Sequence, residues 1–199
     1  AYVDAGDPAI TAKMVVIPNG IEDRSVPGPP EPEHWTFVGR LTPEKGIADL
    51  IGAWPETEHL RVVGDGPLAD PLRALGRSGV SFEGSLPAGR VDEVLRASWG
   101  LVFPSRCLEG FPTVIAEAAM HGIPVLARAG SSGADFVEQR GLGFVYKDES
   151  DLSRILQATR AHMDQFRAAS RRAYESELSL GAWVSRLEAE YSSLLPRSA

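Results

Sequence analysis

Glu109 and Glu117 stand eight positions apart, with Gly-Phe-Pro-Thr-Val-Ile-Ala between them. Carboxylates repel phosphate, but they accept hydrogen bonds from sugar hydroxyls. Pro112 occupies an expected first helical position, and Thr113 and Val114 follow it. The first N–H groups of a helix lack intrahelical partners, and the helix dipole favours an anion there. Glu109 falls in the loop before that helix. Glu117 falls one turn past Thr113, so both can face one side. Residues 100–104 (Gly-Leu-Val-Phe-Pro) read as the strand feeding this loop. Such a constellation suits a ligand that is part sugar and part phosphate.

A second group is basic. Phe37-Val38-Gly39-Arg40 reads as a strand end, and Thr42-Pro43-Glu44-Lys45-Gly46 opens the next helix. Thr42 is a suitable N-cap and Pro43 a suitable first helical residue. Lys45 is then expected in the first turn, where a cation is disfavoured by ~0.3–1 kcal/mol. That placement makes sense if an anion sits between Lys45 and Arg40. The competing reading is that Glu44 balances Lys45 while Arg40 pairs with a surface acid. These residues alone leave both open.

The elements that must position these groups alternate along the chain. Strands are expected at 14–17, 35–39, 60–64, 80–82, 101–103, 124–127 and 143–146. Helices are expected at 44–54, 67–77, 88–98, 113–121, 133–140 and 149–166. Alternation of this kind predicts an α/β fold, with βα units building a parallel sheet and helices on both faces. Residues 20–33 hold Pro27, Pro29, Pro30 and Pro32 and read as a surface excursion. At the C-terminus, Trp183, Leu187, Tyr191 and Leu194 form a helical stripe that needs a surface to cover, on this domain or on a neighbouring molecule. Gly181 is expected to separate that helix from an Arg-rich polar segment holding Arg167, Arg171 and Arg172.

The 199 residues suffice for one large domain or two small ones. Hydrophobic content of 43% and 24% charged residues are those of a globular chain, and the net charge of −7 argues against general nucleic-acid binding. Only three of the twenty basic residues are Lys, which makes Lys45 conspicuous. A single cysteine, Cys107, allows no internal disulfide. No run approaches the ~18 apolar residues of a membrane span. His34, His59 and His162 are expected to sit apart among polar residues without ligand spacing, and His121 reads as a helix-end residue, so no metal site is predicted.

With both groups in view, the chain resembles the nucleotide-sugar half of retaining glycosyltransferases of family 4, which have the GT-B architecture. Ile17-Pro18-Asn19-Gly20-Ile21, Gly39-Arg40, Pro43-Glu44-Lys45-Gly46 and Glu109-Gly110-Phe111 through Glu117 carry the resemblance. Val63-Gly64-Asp65-Gly66-Pro67, Phe82-Glu83-Gly84, Pro104-Ser105-Arg106 and Gly122-Ile123-Pro124-Val125 extend it over roughly residues 14 to 146. Ala134-Asp135 departs from the Pro-Glu common in that loop, and Pro112 stands where many relatives have Gly.

The resemblance implies a single Rossmann-like α/β/α domain over 1–199, with a core at 14–146 and C-terminal helices at 147–199. It also implies an N-terminal acceptor domain outside this chain, to which the last helix would cross. The reaction implied is metal-independent transfer of a hexosyl group from a nucleoside-diphosphate sugar, without a cofactor and with anomeric configuration retained. Arg40 and Lys45 would neutralise the leaving diphosphate, together with Thr113 and Val114. Glu109, Gly110, Phe111 and Pro112 would hold the donor sugar, Glu117 the ribose, and Ser85 and Leu86 the base. A cytoplasmic location is expected, with any peripheral contact at the inner membrane face depending on the absent half.

Three other readings compete. One is a catalytically inactive donor-fold module acting through interaction, against which the intact set Arg40, Lys45, Glu109 and Glu117 argues. Another is a different GT-B enzyme, such as a nucleotide-sugar epimerase or a phosphorylase. The last is a dinucleotide-binding oxidoreductase suggested by Gly64-Asp65-Gly66-Pro67-Leu68-Ala69, a lone glycine-rich turn whose Pro67 looks like a first helical residue.

Overall fold

The computed structural model describes residues 14–28, 30–107 and 110–194. Six strands carry the alternation: β1 (His34–Val38), β2 (Leu60–Val63), β3 (Val80–Gly84), β4 (Ser98–Phe103), β5 (Val125–Arg128) and β6 (Gly143–Tyr146). They pair in the order β3-β2-β1-β4-β5-β6, and every pairing is parallel. The expected strand at 14–17 does not form. Met14, Val15 and Val16 are exposed, and this stretch carries no strand pairing. Parallel strands gain from apolar cover on both faces, and these side chains find none.

Alternating side chains along the strands feed two separate cores. Trp35 and Phe37 of β1, Val102 of β4 and Leu126 of β5 pack on one face with α1 (Ile47–Ala53) and α6 (Leu152–Ala161). Leu101, Phe103, Val125 and Ala127 pack on the other with α4 (Thr113–Met120), α5 (Ala134–Arg140) and α7 (Met163–Ala173). Two further helices, α2 (Ala69–Ala74) and α3 (Ala88–Arg96), contribute Leu72 to the first core and Leu95 to the second. The result is a three-layer α/β/α, Rossmann-like domain. Arg160 of α6 clips the first layer down: its guanidinium lies over the Trp35 and Trp99 rings and makes a forked pair with Glu58 at 2.7 and 2.8 Å.

Two boundaries differ from the periodicity-based expectation. The segment 44–54 is split: Pro43–Lys45 is a 3₁₀ turn, Gly46 sits in the left-handed region at φ 69°, and α1 starts only at Ile47. Lys45 therefore ends a separate turn, one residue before the Gly46 N-cap, and is not in the first turn of α1. Thr42 precedes that turn with extended backbone but makes no side-chain cap bond. A Cβ on Gly46 would meet the Pro104 carbonyl oxygen at 2.2 Å, so the αL kink lets the turn approach the end of β4. The Arg106 N–H donates to the Glu44 carbonyl at 2.9 Å and ties the two loops together.

The second difference concerns the tail. The segment 149–166 breaks at His162 (φ −114°), and α7 continues through Arg167, Arg171 and Arg172, so the Arg-rich stretch is helical. The last helix, α8 (Leu180–Leu194), begins after Ser179 adopts extended backbone (ψ 152°), which places Gly181 inside the helix. None of the α8 residues is buried, and Tyr191 and Leu194 are 68% and 79% exposed. The expected packing of its stripe onto this domain is partial: Trp183 and Leu187 are half-buried, whereas Tyr191 and Leu194 are not covered. The helix's first half is anchored: the Ile21 N–H donates to the Leu178 carbonyl, the Leu180 N–H donates to the Ile21 carbonyl, Trp183 lies over Gly20, and Arg186 reaches Glu177 at 3.8 Å. No helix among the described residues is long and apolar enough to cross a membrane.

His34 lies inside β1, buried, edge-to-face with His59 at 6.2 Å, with its Nε2 against the Val94 carbonyl. It does not sit apart among polar residues as its sequence context suggested. Burial, aided by the Arg61 charge, pushes its pKa down to about 4 from 6.5. Between those values the unfolded chain binds the extra proton, so stability falls as pH drops through that window and is fully retained above it. Urea midpoints measured from pH 7 to 4 should show a loss of about 2–3 kcal/mol, and His34→Gln should flatten that slope. An unchanged slope in the variant would show that another group controls it. Separately, Gly46→Ala should lower the urea unfolding free energy by about 2–4 kcal/mol, because the new methyl meets a backbone carbonyl that cannot rotate away.

Candidate functional site

The winding of the sheet reverses between β1 and β4. In a parallel sheet, helices leave adjacent strands to opposite faces at such a point and a crevice opens beyond the strand ends. A cavity of about 250 Å³ lies there. Val38, Gly39 and Arg40 from the end of β1 and Phe103, Pro104 and Ser105 from the end of β4 form part of its wall. Lys45, Pro112, Thr113, Val114 and Glu117 complete the parts that bear on chemistry.

Both basic residues of the expected pair therefore reach one cavity. Arg40 is 76% exposed on its side chain and has Glu44 at 3.8 Å, a long, solvated contact that constrains it weakly. Lys45 is half-buried. Close backbone packing below them fixes the loop. The Gly39 N–H donates to the Val63 carbonyl at 3.0 Å, and a Cβ on Gly64 (φ 130°) would meet the Gly39 oxygen at 1.9 Å. Here glycine is required so that two strand ends can touch backbone to backbone.

Opposite the basic pair is the start of α4. Pro112 is its N-cap, one position earlier than expected, with φ −71° and ψ 113°. Thr113 and Val114 are the first helical residues, so their end of the dipole faces the cavity. Glu117 follows one turn later on the same wall. Burial raises its pKa and the nearby Asp92 charge adds to this, while the Arg24 guanidinium, 3.7 Å away, acts in the opposite direction. Arg24 in turn forks onto Asp92, with Nε at 2.9 Å and Nη2 at 3.3 Å. His121 Nε2 donates to the same Asp92 carboxylate at 3.0 Å. Burial opposes ionisation of Asp92, but its bonds from Arg24 and His121 win and hold it below its ordinary value.

Arg24 and Asp92 were not singled out by sequence reasoning. Arg24 was hidden in the proline-rich excursion, which is in fact tied down through Ile21 and Arg24. Asp92 carried a readable signal: it adjoins Val91 and precedes Val94 and Leu95 on an amphipathic helix, and a carboxylate at a buried helical position requires a partner. His121 does end α4, its N–H reaching the Ala118 and Glu117 carbonyls, but its ring serves Asp92.

The base-side residues Ser85 and Leu86 line a second hollow of about 210 Å³ with Gly64, Asp65 and Val91, and Val38, Gly39 and Arg40 belong to both hollows. Asp65 accepts the Gly66 N–H at 2.7 Å and acts as a turn former. Gly110 and Phe111 are not brought into the main cavity. They face a smaller hollow of about 160 Å³ with Val16, Ile17, Pro18 and Asn19, because the Phe111 ring is drawn inward edge-to-face against Phe136 at 5.1 Å. Of the four residues expected at the donor sugar, Pro112 alone lines the main cavity among the described residues. Glu109 lies outside the described residues. Cys107 is half-buried, its thiol 3.2 Å from the Ser105 hydroxyl. Asp135 is exposed in the first turn of α5, away from the cavity walls.

Comparison with known proteins places this geometry. Residues 32–163 match the family described as glycosyl transferases group 1. Glycogen synthase of Mycobacterium tuberculosis (strain CDC 1551 / Oshkosh) is 31% identical over 180 residues, covering 81% of this chain and 42% of the relative. The chain thus spans less than half the length of the curated relative it matches. Among solved structures, Anabaena HepE in complex with UDP superposes with a TM-score of 0.69 at 21% identity, covering 82% of this chain and 50% of that one. The lipopolysaccharide outer core galactosyltransferase WaaB in its apo form gives 0.71 at 23% identity, covering 92% and 57%. At those identities the solved structures speak for the fold, which is that of GT-B glycosyltransferases. With the family match spanning most of the chain and the cavity at the sheet's reversal point, the chain belongs to the group 1 glycosyl transferases.

Proposed function

We propose that the chain is the donor-binding half of a retaining, metal-independent glycosyltransferase of family 4 that transfers a hexosyl group from a nucleoside-diphosphate sugar. The observation that carries the reading is the convergence of Arg40, Lys45 and the start of α4 on one cavity, with Glu117 on its wall. A diphosphate there would have two cations and a helix N-terminus around it. The hollow at Ser85 and Leu86 adjoins the cavity through Val38–Arg40, so a base has somewhere to lie when the ribose meets Glu117. The solved complex of HepE with UDP, a neighbour in fold, supports the same ligand class.

The chemistry follows from charge. As the bond from the anomeric carbon to the β-phosphate oxygen breaks, its electron pair stays with the diphosphate. Preorganised cations facing that developing charge lower the barrier without reorganisation. Arg40 and Lys45 supply them, which is why no divalent ion is required in this reading. The acceptor hydroxyl attacks the anomeric carbon from the face the diphosphate leaves, and its proton passes to the departing phosphate oxygen. Configuration is thereby retained without an enzyme nucleophile. Glu109 is assigned to the donor sugar hydroxyls as a binding carboxylate. The acceptor belongs to a further domain facing this cavity.

Calorimetric titration in EDTA with UDP, GDP, ADP and NAD tests the reading. At least one nucleoside diphosphate should bind, weakly because half the cleft is elsewhere, and NAD should not. Binding of NAD alone would replace the transferase reading with an oxidoreductase one. Lys45→Ala should weaken the best nucleoside diphosphate about 10- to 100-fold, and the more solvated Arg40→Ala less. Binding that depends wholly on added magnesium, or is indifferent to both substitutions, would remove the basic pair from the phosphate site.

A further inference from the structure

We infer that Arg24 is a positioning residue for Glu117: anchored by Asp92 and His121, its guanidinium sets the Glu117 carboxylate for the ribose hydroxyls of a nucleoside diphosphate. This rests on Glu117 being the ribose-binding residue.

The geometry is a relay across three elements. His121, at the end of α4, fixes one oxygen of Asp92 on α3, and Asp92 accepts a two-pronged bond from Arg24 on the 21–28 segment. The fork fixes the plane of the guanidinium, so Nη2 is delivered to a set place, 3.7 Å from Glu117 Oε1. Arg24 is not among the residues lining the cavity that Glu117 enters: its other contacts are at the part-buried α3–α4 junction, including its backbone N–H on the Met120 sulfur at 3.2 Å. It would therefore grip one carboxylate oxygen from behind and leave the other for ligand hydroxyls.

Charge explains why such a grip is needed. Glu117 is mostly buried and shares its surroundings with a second carboxylate, Asp92, and both conditions favour its neutral form. A neutral carboxyl turns one acceptor site into an O–H donor and accepts more weakly from ligand hydroxyls. The charged groups facing Glu117 are Arg24 from the 21–28 segment and Asp92 from α3, with His121 behind Asp92. Arg40 and Lys45 lie across the same cavity. Among the described residues, Arg24 is the cation paired with Glu117, and Asp92 holds it independently of any ligand.

The test compares two probes on this chain: the best binder among UDP, GDP and ADP, and inorganic pyrophosphate, which carries the phosphates without the ribose. Arg24→Met should weaken the nucleotide about tenfold and leave pyrophosphate unchanged. It should also move the acidic limb of nucleotide affinity to higher pH, since affinity is lost as pH falls through the Glu117 pKa and removing Arg24 raises that pKa. The ligand's own titration is the same for both proteins and cancels in the ratio of variant to wild-type affinity for one probe. Arg24→Lys keeps a charge but not the fork, so it should fall between, and it carries the test if the methionine variant does not fold. Glu117→Gln separates the two claims. If it leaves nucleotide affinity intact, Glu117 is not the ribose residue. If it weakens the nucleotide while the Arg24 variants keep wild-type affinity and an unmoved limb, the positioning role is wrong. Equal loss of nucleotide and pyrophosphate in the Arg24 variants would also overturn it, by showing a general structural effect.

Discussion

The constraint on which everything else depends is the order of the sheet. Because β1 and β4 are neighbours whose following helices pack on opposite faces, no helix can cover the gap beyond their carboxyl ends. The loops there must leave the strands and turn away at once. At β1 this is achieved by Gly39, whose carbonyl abuts Gly64, and at the next turn by Gly46 against Pro104. Both are backbone-on-backbone contacts with no room for a Cβ. They bring Arg40 and Lys45 to the cavity as a consequence of the scaffold's tightest packing, so the site inherits the rigidity of the sheet.

The buried side of the site obeys a different economy. Asp92 and Glu117 are two carboxylates near one guanidinium, an arrangement that leaves local negative charge uncompensated unless something else arrives. Asp92 takes the stronger bonds, two from Arg24 and one from His121, and stays ionised. Glu117 is left with a longer contact and raised proton affinity. An unequal split of this sort is what distinguishes an anchor from a group awaiting a partner. The anchor is structural, joining the 21–28 segment to α3 and α4, and the waiting group faces the cavity.

How much of this was legible in the chain varies with the range of the interaction. The strands of the core and the parallel sheet follow from local patterns of apolar runs with proline and glycine at element ends, whereas the meeting of Arg40, Lys45 and Thr113 in one cavity was implied by the family resemblance of the motifs. Strand 14–17 failed because an apolar run says nothing about whether a partner edge or face exists to receive it. The split of 44–54 failed because helical periodicity in Pro43–Ala53 hides an αL residue, and Gly46 was read as part of a motif when its contact with Pro104 decides the break. Arg24 and Asp92 were missed for the most physical of reasons: their meaning lies in a contact 68 positions apart. Gly110 and Phe111 sat next to the right residues in sequence, but the pull of Phe136 on the Phe111 ring is invisible there.

A net charge of −7 would at first sight oppose binding of the diphosphate proposed for this cavity. Distance decides otherwise. At physiological ionic strength charges more than about 8 Å away are largely screened, and most of the acidic side chains with described contacts are already paired with arginine on the surface, as at Arg61–Glu83, Arg90–Glu93, Arg140–Glu177 and Arg154–Asp151. What a diphosphate meets at the cavity is Arg40, Lys45 and the first turn of α4 within a low-dielectric wall of Phe37, Phe103 and Pro104. The same wall that strengthens this attraction raises the cost of the Glu117 charge beside it. On the proposed reading the cavity uses its cations in two places: Arg40 and Lys45 at the phosphates, and the Arg24 guanidinium at the Glu117 carboxylate, held by bonds to Asp92 that exist before any ligand arrives.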